Sequence, residues 1–212
     1  MLYRSDHYGK RYASTSGRPR SFDPDEALQR ALMTFWAHGY EGASMKLLQE
    51  ATGLSAPQLY RAFESKERLF ESAVALYQEE YGFGVADSLP VIDALTDYLD
   101  RAAREFTSEP GLGCLVSTGL LTTGRDAEAA AAVVRAERDQ ALTALSTRLA
   151  KAVADGELSE SVDVRGLTRT IGALIQGMSV QARDGATRED LGRLVATVRD
   201  LLVTSVNRPA SI

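Results

Sequence analysis

Between Ser44 and Leu69 two short runs of helical periodicity are separated only by Gly53, Leu54 and Ser55. That arrangement restricts what this chain can fold into more than any other feature. Met45, Leu48 and Ala51 recur at steps of three before the break, and Leu59 and Phe63 lie four apart after it, so each run buries one face of a helix. Glycine takes the left-handed conformation of a tight reversal at little steric expense. Leu54 anchors the reversal in the core, and Ser55 with Gln58 three residues later forms a capping box for the helix that follows. A preceding helix starts with Asp23 as its cap and Pro24 at its first position. Its apolar stripe is Leu28, Leu32, Phe35 and Trp36, and Gly39 stops it. Ser65 caps a fourth helix that carries Leu69, Phe70, Ala73, Leu76 and Tyr77 before Gly82 and Gly84.

Helical periodicity continues to the C-terminal end. Ile92, Leu95, Leu99, Ala102 and Phe106 form one stripe. A short apolar segment runs over Leu112–Leu121, and an Ala-rich helix over Asp126–Asp155. Leu167, Ile171, Leu174, Ile175 and Met178 mark the next helix, and Leu191, Leu194, Val195, Val198, Leu201 and Leu202 the last. Aromatic residues make up only 7% of the chain, and no segment alternates as a half-buried strand does. The expected fold is therefore all-α, about nine helices in two parts. Residues 1–21 form a flexible basic arm, 22–64 a three-helix helix-turn-helix domain, and 65–207 a larger helical domain for effector binding and dimerisation.

Leu59 and Phe63 bury one face of the second short helix, which leaves Ala56, Pro57, Gln58, Tyr60 and Arg61 on or near the other. An exposed helix of this kind enters a DNA major groove, where its N-terminal residues reach base edges. The net charge of −5 argues against a nucleic-acid partner until its distribution is considered. Residues 1–70 hold 10 Lys/Arg and 8 Asp/Glu, whereas residues 71–212 hold 14 and 21. A local positive face is what DNA requires, not a positive total. The spacing alone also fits a helical hairpin that touches no nucleic acid, and the basic arm fits a plain tail as well as a backbone clamp.

With Phe35-Trp36-Ala37-His38-Gly39-Tyr40, Gly53-Leu54-Ser55, Leu59-Tyr60-Arg61-Ala62-Phe63 and Ser65-Lys66-Glu67-Arg68-Leu69 in place, the chain resembles the TetR family of bacterial transcriptional repressors over roughly residues 22–75. The resemblance implies phosphate contacts from Ser44, Tyr60 and Lys66, donors at or near helix starts. It also implies base contacts from Ala56, Pro57, Gln58 and Arg61. Gln58 suits adenine and Arg61 suits guanine, while Ala56 and Pro57 offer apolar contact. Pro57 departs from the glycine, threonine or serine of many members, and in the first turn its missing N–H costs little. The expected partners are a palindromic double-stranded DNA operator, a small-molecule effector and a second copy of the chain, because one such motif reads few bases alone. Gly172 and Gly177 would let a partner helix approach Ile171, Leu174, Ile175, Val195, Val198 and Leu202. Candidate groups for an effector site are Tyr98, Phe106, Thr118, Arg138 and Gln176, set among Leu99, Leu121 and Met178. Simple core packing explains each of these residues equally well.

Other chemistries find little support. His7 and His38 have no ligand-spaced neighbours, so no metal is expected. A single cysteine precludes an internal disulfide, and Cys114 in its apolar stretch reads as a structural thiol. No Ser/His/Asp or Cys/His set and no Gly-rich phosphate loop presents itself, so neither enzyme activity nor a cofactor is expected. The longest apolar run, Ala129–Val134, is too short to span a membrane. With no apolar segment near Met1, a cytoplasmic protein is expected.

Overall fold

Asp23 and Pro24 start the first helix as the sequence predicts. The Asp23 carboxylate accepts from the Asp25 N–H at 2.9 Å, and α1 runs over Pro24–Gly42. Helical geometry breaks inside it at Gly39, whose φ of 69° and ψ of 173° suit only glycine. The computed structural model describes residues 22–109, 111–120 and 127–206. The arm expected over residues 1–21 lies outside them, as does Leu121.

Eight further helices follow among the described residues, with no strand: α2 (Met45–Thr52), α3 (Ala56–Phe63), α4 (Lys66–Tyr81), α5 (Val91–Phe106), α6 (Leu115–Thr118), α7 (Glu128–Ala154), α8 (Val164–Arg183) and α9 (Arg188–Val206). No helix among them is long and apolar enough to cross a membrane. The all-α architecture is as the periodicity predicts.

One aromatic seam runs through the molecule between α1 and α4. Tyr40 meets Phe70 edge-on at 5.1 Å, Phe70 meets Phe35 at 5.0 Å, and Trp36 meets Tyr77 at 5.0 Å and Tyr81 at 4.9 Å. Edge-to-face pairs add about 0.5–1.5 kcal/mol each beyond the area they bury, and close spacing makes the seam stiff. Trp36 also donates its indole N–H to the Gly113 carbonyl at 3.1 Å, which ties α1 to the segment that leads into α6.

Beyond the seam, α5 packs on α8 and α9, and α7 packs on α4 and α8. The loop between α4 and α5 is held by Arg148 of α7. Its guanidinium is almost fully buried, donates to the Leu89 carbonyl at 2.7 Å, and pairs with Glu157 at 3.1 Å.

The apolar stripes of α8 and α9 are divided between two uses. Ile171 and Val195 are spent inside the subunit, and a side chain on Gly172 would strike Leu142 of α7 at 2.6 Å. Gly172 thus lies close to α7 within the chain. Val180, Leu201 and Val203 remain exposed, Leu174, Val198 and Leu202 are half-buried, and a side chain on Gly177 would meet nothing within 4 Å.

Candidate nucleic-acid interface and ligand chamber

The two short helices are tied at their junction by side chains chosen for it. Ser44 caps α2, its Oγ accepting from the Leu47 N–H at 3.2 Å. Gly53 closes α2 in the left-handed region, with φ 72° and ψ 11°. Gln49 reaches across from α2, and its Oε1 accepts from the Ala56 N–H at 3.1 Å, so one orphan donor of the α3 start is satisfied by the neighbouring helix. Leu54, Leu59 and Phe63 are buried beneath.

On the outer face of α3, Pro57, Tyr60 and Arg61 are exposed, while Ala56 and Gln58 are half-buried. Tyr60 is 49% exposed, about half of its surface open to water. Arg61 has no ion-pair partner among the described residues. Gln58 is more constrained than the sequence suggests. Its Oε1 accepts from the Ser55 N–H at 2.9 Å and from the Ser55 hydroxyl at 2.7 Å, which leaves its Nε2 donors to face outward. A two-bond contact with adenine, one accepted and one donated, requires Gln58 to give up this cap.

The turn from α3 into α4 is strained. Glu64 has φ 66° and ψ −51°, and the Ser65 N–H donates back to the Phe63 carbonyl at 2.7 Å. This is a γ-turn of the rare kind, at the only non-glycine residue with positive φ among those described. It delivers Lys66 to the first position of α4, where the ammonium lies 4.4 Å over the Tyr40 ring. The same tyrosine donates its hydroxyl to Glu67 at 2.9 Å. Burial, then that bond, push the Tyr40 phenol well above its usual range. The Ser65 hydroxyl, the backbone at the helix start and the Tyr40 hydroxyl hold the Glu67 carboxyl below its own. Partial burial lowers the pKa of Lys66. The exposed ammonium edge is thus fixed in place by a ring, a strained turn and a helix start. Tyr40 was not among the residues that sequence reasoning selected. The spacing from the end of α1 to Lys66 is long-range, so periodicity carries no sign of it.

A second concavity, about 100 Å³, lies between α4, α5, α6, α7 and α8. Tyr98, Phe106, Arg138 and Gln176 line it as the sequence inventory proposed. Thr118 does not: its hydroxyl turns back to the Cys114 carbonyl at 2.8 Å. Leu99 and Met178 belong to the packed core. The rings of Tyr77, Tyr81 and Phe83 also face the chamber, as does Cys114. Tyr77 and Tyr81 are four apart at the end of α4, a spacing the sequence displays and that marks one face. Burial pushes the Tyr77 phenol well above its usual range, and nearby Cys114 adds to that. Among the described residues no cluster of His, Cys, Asp or Glu could hold a metal ion.

The chamber and α1 share a wall. α6 lends Val116 and Ser117 to the chamber, while its C-cap Gly119 accepts from the Tyr40 N–H at 3.0 Å. A family model described as bacterial regulatory proteins, tetR family, matches residues 27–73. The HTH-type transcriptional repressor ComR of Escherichia coli (strain K12) is 35% identical over 85% of this chain and 89% of its own length. This chain belongs to the TetR family. It is a DNA-binding transcriptional regulator, from a family of regulators and not of enzymes. The repressor BdcR of Escherichia coli (strain K12) is 28% identical over 92% of this chain and 96% of its own. Among solved structures, the TetR family regulator CifR, a cysteine mutant complexed with 26 bp double-strand operator DNA, is 38% identical. It superposes with a TM-score of 0.82 and covers 87% of this chain and 98% of its own.

Proposed function

We propose that this TetR-family regulator is a cytoplasmic homodimeric repressor that leaves a palindromic operator when a small molecule occupies its chamber. Residues 1–21 would form the basic arm, residues 22–64 the DNA-reading unit and residues 65–207 the effector and dimerisation unit. Ser44, Tyr60 and Lys66 would hold phosphates; Ala56, Pro57, Gln58 and Arg61 would face bases. Tyr98, Phe106, Arg138 and Gln176 would contact the effector, and Thr118, the last residue of α6, would bond only back to the start of its own helix. No catalysis and no cofactor are assigned to the chain.

The observation that carries this reading is the position of α6. It walls the chamber with Val116 and Ser117 and accepts a backbone hydrogen bond from Tyr40 through Gly119, and the Tyr40 ring seats Lys66. A molecule that displaces α6 therefore moves the residue under the phosphate-binding ammonium. Recognition helices must sit roughly 34 Å apart to meet successive half-sites, so a small shift in each subunit spoils the fit. Driving a population from about 1:99 to 99:1 takes roughly 5.5 kcal/mol of differential affinity. The repressor names of ComR and BdcR and the operator complex of CifR support the same reading. Dimerisation is supported by the exposed Val180, Leu201 and Val203 along α8 and α9.

The test pairs two measurements on an operator fragment that the protein itself selects from a random-sequence library. A compound that raises the melting temperature of the free protein should release it from that fragment. Stabilising compounds that leave DNA affinity unchanged would refute the coupling, and a monomer by light scattering at micromolar concentration would refute the dimer.

A further inference from the structure

We infer that the chamber takes a small carboxylate with a short apolar body, held by the guanidinium of Arg138. This rests on the reading of the chamber as the effector site and adds the chemical class of the effector.

Two charged side chains reach the chamber, and they are in different situations. Glu137 already accepts from the Gln78 amide at 2.8 Å, so its carboxylate has a partner. Arg138 donates through Nη1 to the Val116 carbonyl at 2.9 Å and has no ion-pair partner among the described residues. A guanidinium stays charged in a protein and offers five donors in a planar fork. One carbonyl uses one of them. Burial lowers the pKa of Arg138, and the charge of nearby Arg135 adds to that, so the group sits where solvent compensates it poorly. Of the other half-buried arginines, Arg101 is paired with Asp97, and Arg183 spends its guanidinium on two carbonyls, those of Trp36 and Leu112; Arg138 has one. A partly desolvated guanidinium with free donors and no ion pair among the described residues, facing an aromatic hollow, matches a planar carboxylate that can accept two parallel bonds.

Size and shape restrict the rest of the molecule. The hollow is small, about 100 Å³, and open on one side, so the body that follows the carboxylate is short. Tyr98 and Phe106 supply the apolar wall, and the exposed Gln176 stands at the edge. A cation at this edge is disfavoured, because Arg138 repels it. The placement also links binding to output. A carboxylate on the free edge of Arg138 lies beside the Val116 bond, and Val116 sits on α6, three residues before the Gly119 carbonyl that receives Tyr40.

The experiment is calorimetric titration of the full-length protein with four probes at one pH and ionic strength: butyrate, isovalerate, butyramide and butylamine. The two carboxylates are expected to bind, and the amide and amine to bind at least about tenfold more weakly. Arg138→Gln should lower butyrate affinity by about 10- to 100-fold. Arg138→Lys, which keeps the charge and loses the fork, should fall between. The comparison of butyrate with butyramide on the unaltered protein stands even if a variant fails to fold. Butyramide or butylamine binding as tightly as butyrate, butyrate binding unchanged in Arg138→Gln, or no binding by any probe overturns the inference. The two readings fail separately. An amine or amide that releases the operator overturns the carboxylate and leaves the effector site standing. Butyrate bound through Arg138 without a change in DNA affinity confirms the carboxylate and removes its role as effector.

Discussion

The N–H of Tyr40 donates to the carbonyl of Gly119 at 3.0 Å, and the bond spans the boundary between the DNA-reading helices and the chamber. It forms because α1 breaks at Gly39, one residue earlier. The break turns the Tyr40 N–H out of the helical ladder and toward α6. The tyrosine ring then lies beneath Lys66, and its hydroxyl binds Glu67. One residue thus connects a backbone contact on the chamber side to a side-chain contact on the DNA side.

Gly39→Ala tests that junction. Gly39 and Gly53 both have positive φ, 69° and 72°, but a side chain on Gly39 would meet the Gly119 oxygen at 2.9 Å, whereas one on Gly53 would meet nothing within 4 Å. Gly53 is in the left-handed helical region, where a side chain costs about 1–2 kcal/mol; Gly39, with ψ 173°, is in a region nearly closed to other residues, and the collision adds to that cost. In urea unfolding Gly39→Ala should lose at least about 1 kcal/mol more than Gly53→Ala. Equal losses would show that the contact with Gly119 is of no energetic consequence.

Lys66 and Arg61 should differ in what their loss does to recognition. Lys66→Ala should weaken binding to every sequence and reduce the slope of affinity against salt by about one, as expected of a phosphate contact. Arg61→Ala should relax preference at one base pair, at a cost of about 1–3 kcal/mol. Binding of both variants to a randomised operator library separates these outcomes. A uniform loss for both would remove Arg61 from the base-reading set.

The helix-turn-helix was legible because its signals are local. Caps at Asp23, Ser44, Ser55 and Ser65 and the turn at Gly53 lie within a few residues of what they terminate. The chamber was legible in part. Tyr98, Phe106, Arg138 and Gln176 could be proposed because polar and aromatic residues stand out among Leu and Ala, whereas Thr118 looked the same in sequence and turned back onto its own helix. Cys114 read as a core thiol, and it is buried, yet it faces the chamber. Burial against a protein atom and burial against a hollow have the same sequence signature. Gly172 is ambiguous for a related reason, since a small residue on a helix shows that something comes close without showing whether it is Leu142 or a partner helix.

Gln58 separates folding from recognition. Gln58→Glu keeps an oxygen for the Ser55 N–H and places a negative charge at a helix start, where it is favoured by about 0.3–1 kcal/mol. The stability of the domain should hold or rise slightly. The same change removes the Nε2 donors and sets a carboxylate against DNA phosphates, so operator affinity should fall by about tenfold or more. Fluorescence anisotropy with labelled operator gives the answer. Unchanged affinity would mean that Gln58 serves only as a cap.

Arg148 should be the most costly single truncation outside the aromatic seam. Its side chain is 4% exposed, and it holds the Leu89 carbonyl and the Glu157 carboxylate; Glu157 in turn accepts from the Val91 N–H at the start of α5. Arg148→Ala removes the cation and leaves these acceptors in a poorly solvated site, a loss of about 3–5 kcal/mol for a buried pair broken on one side. The pair is not optimal in itself, since Nη1 of Arg148 is buried with no partner among the described residues and desolvating it costs free energy with nothing gained. The double variant Arg148→Met with Glu157→Gln should therefore recover much of the loss. Methionine fills the volume without a charge, and glutamine keeps an oxygen for the Val91 N–H. Urea unfolding of the two variants decides the point. A loss below about 1 kcal/mol for Arg148→Ala would show that water reaches the site and that the loop between α4 and α5 does not depend on this arginine.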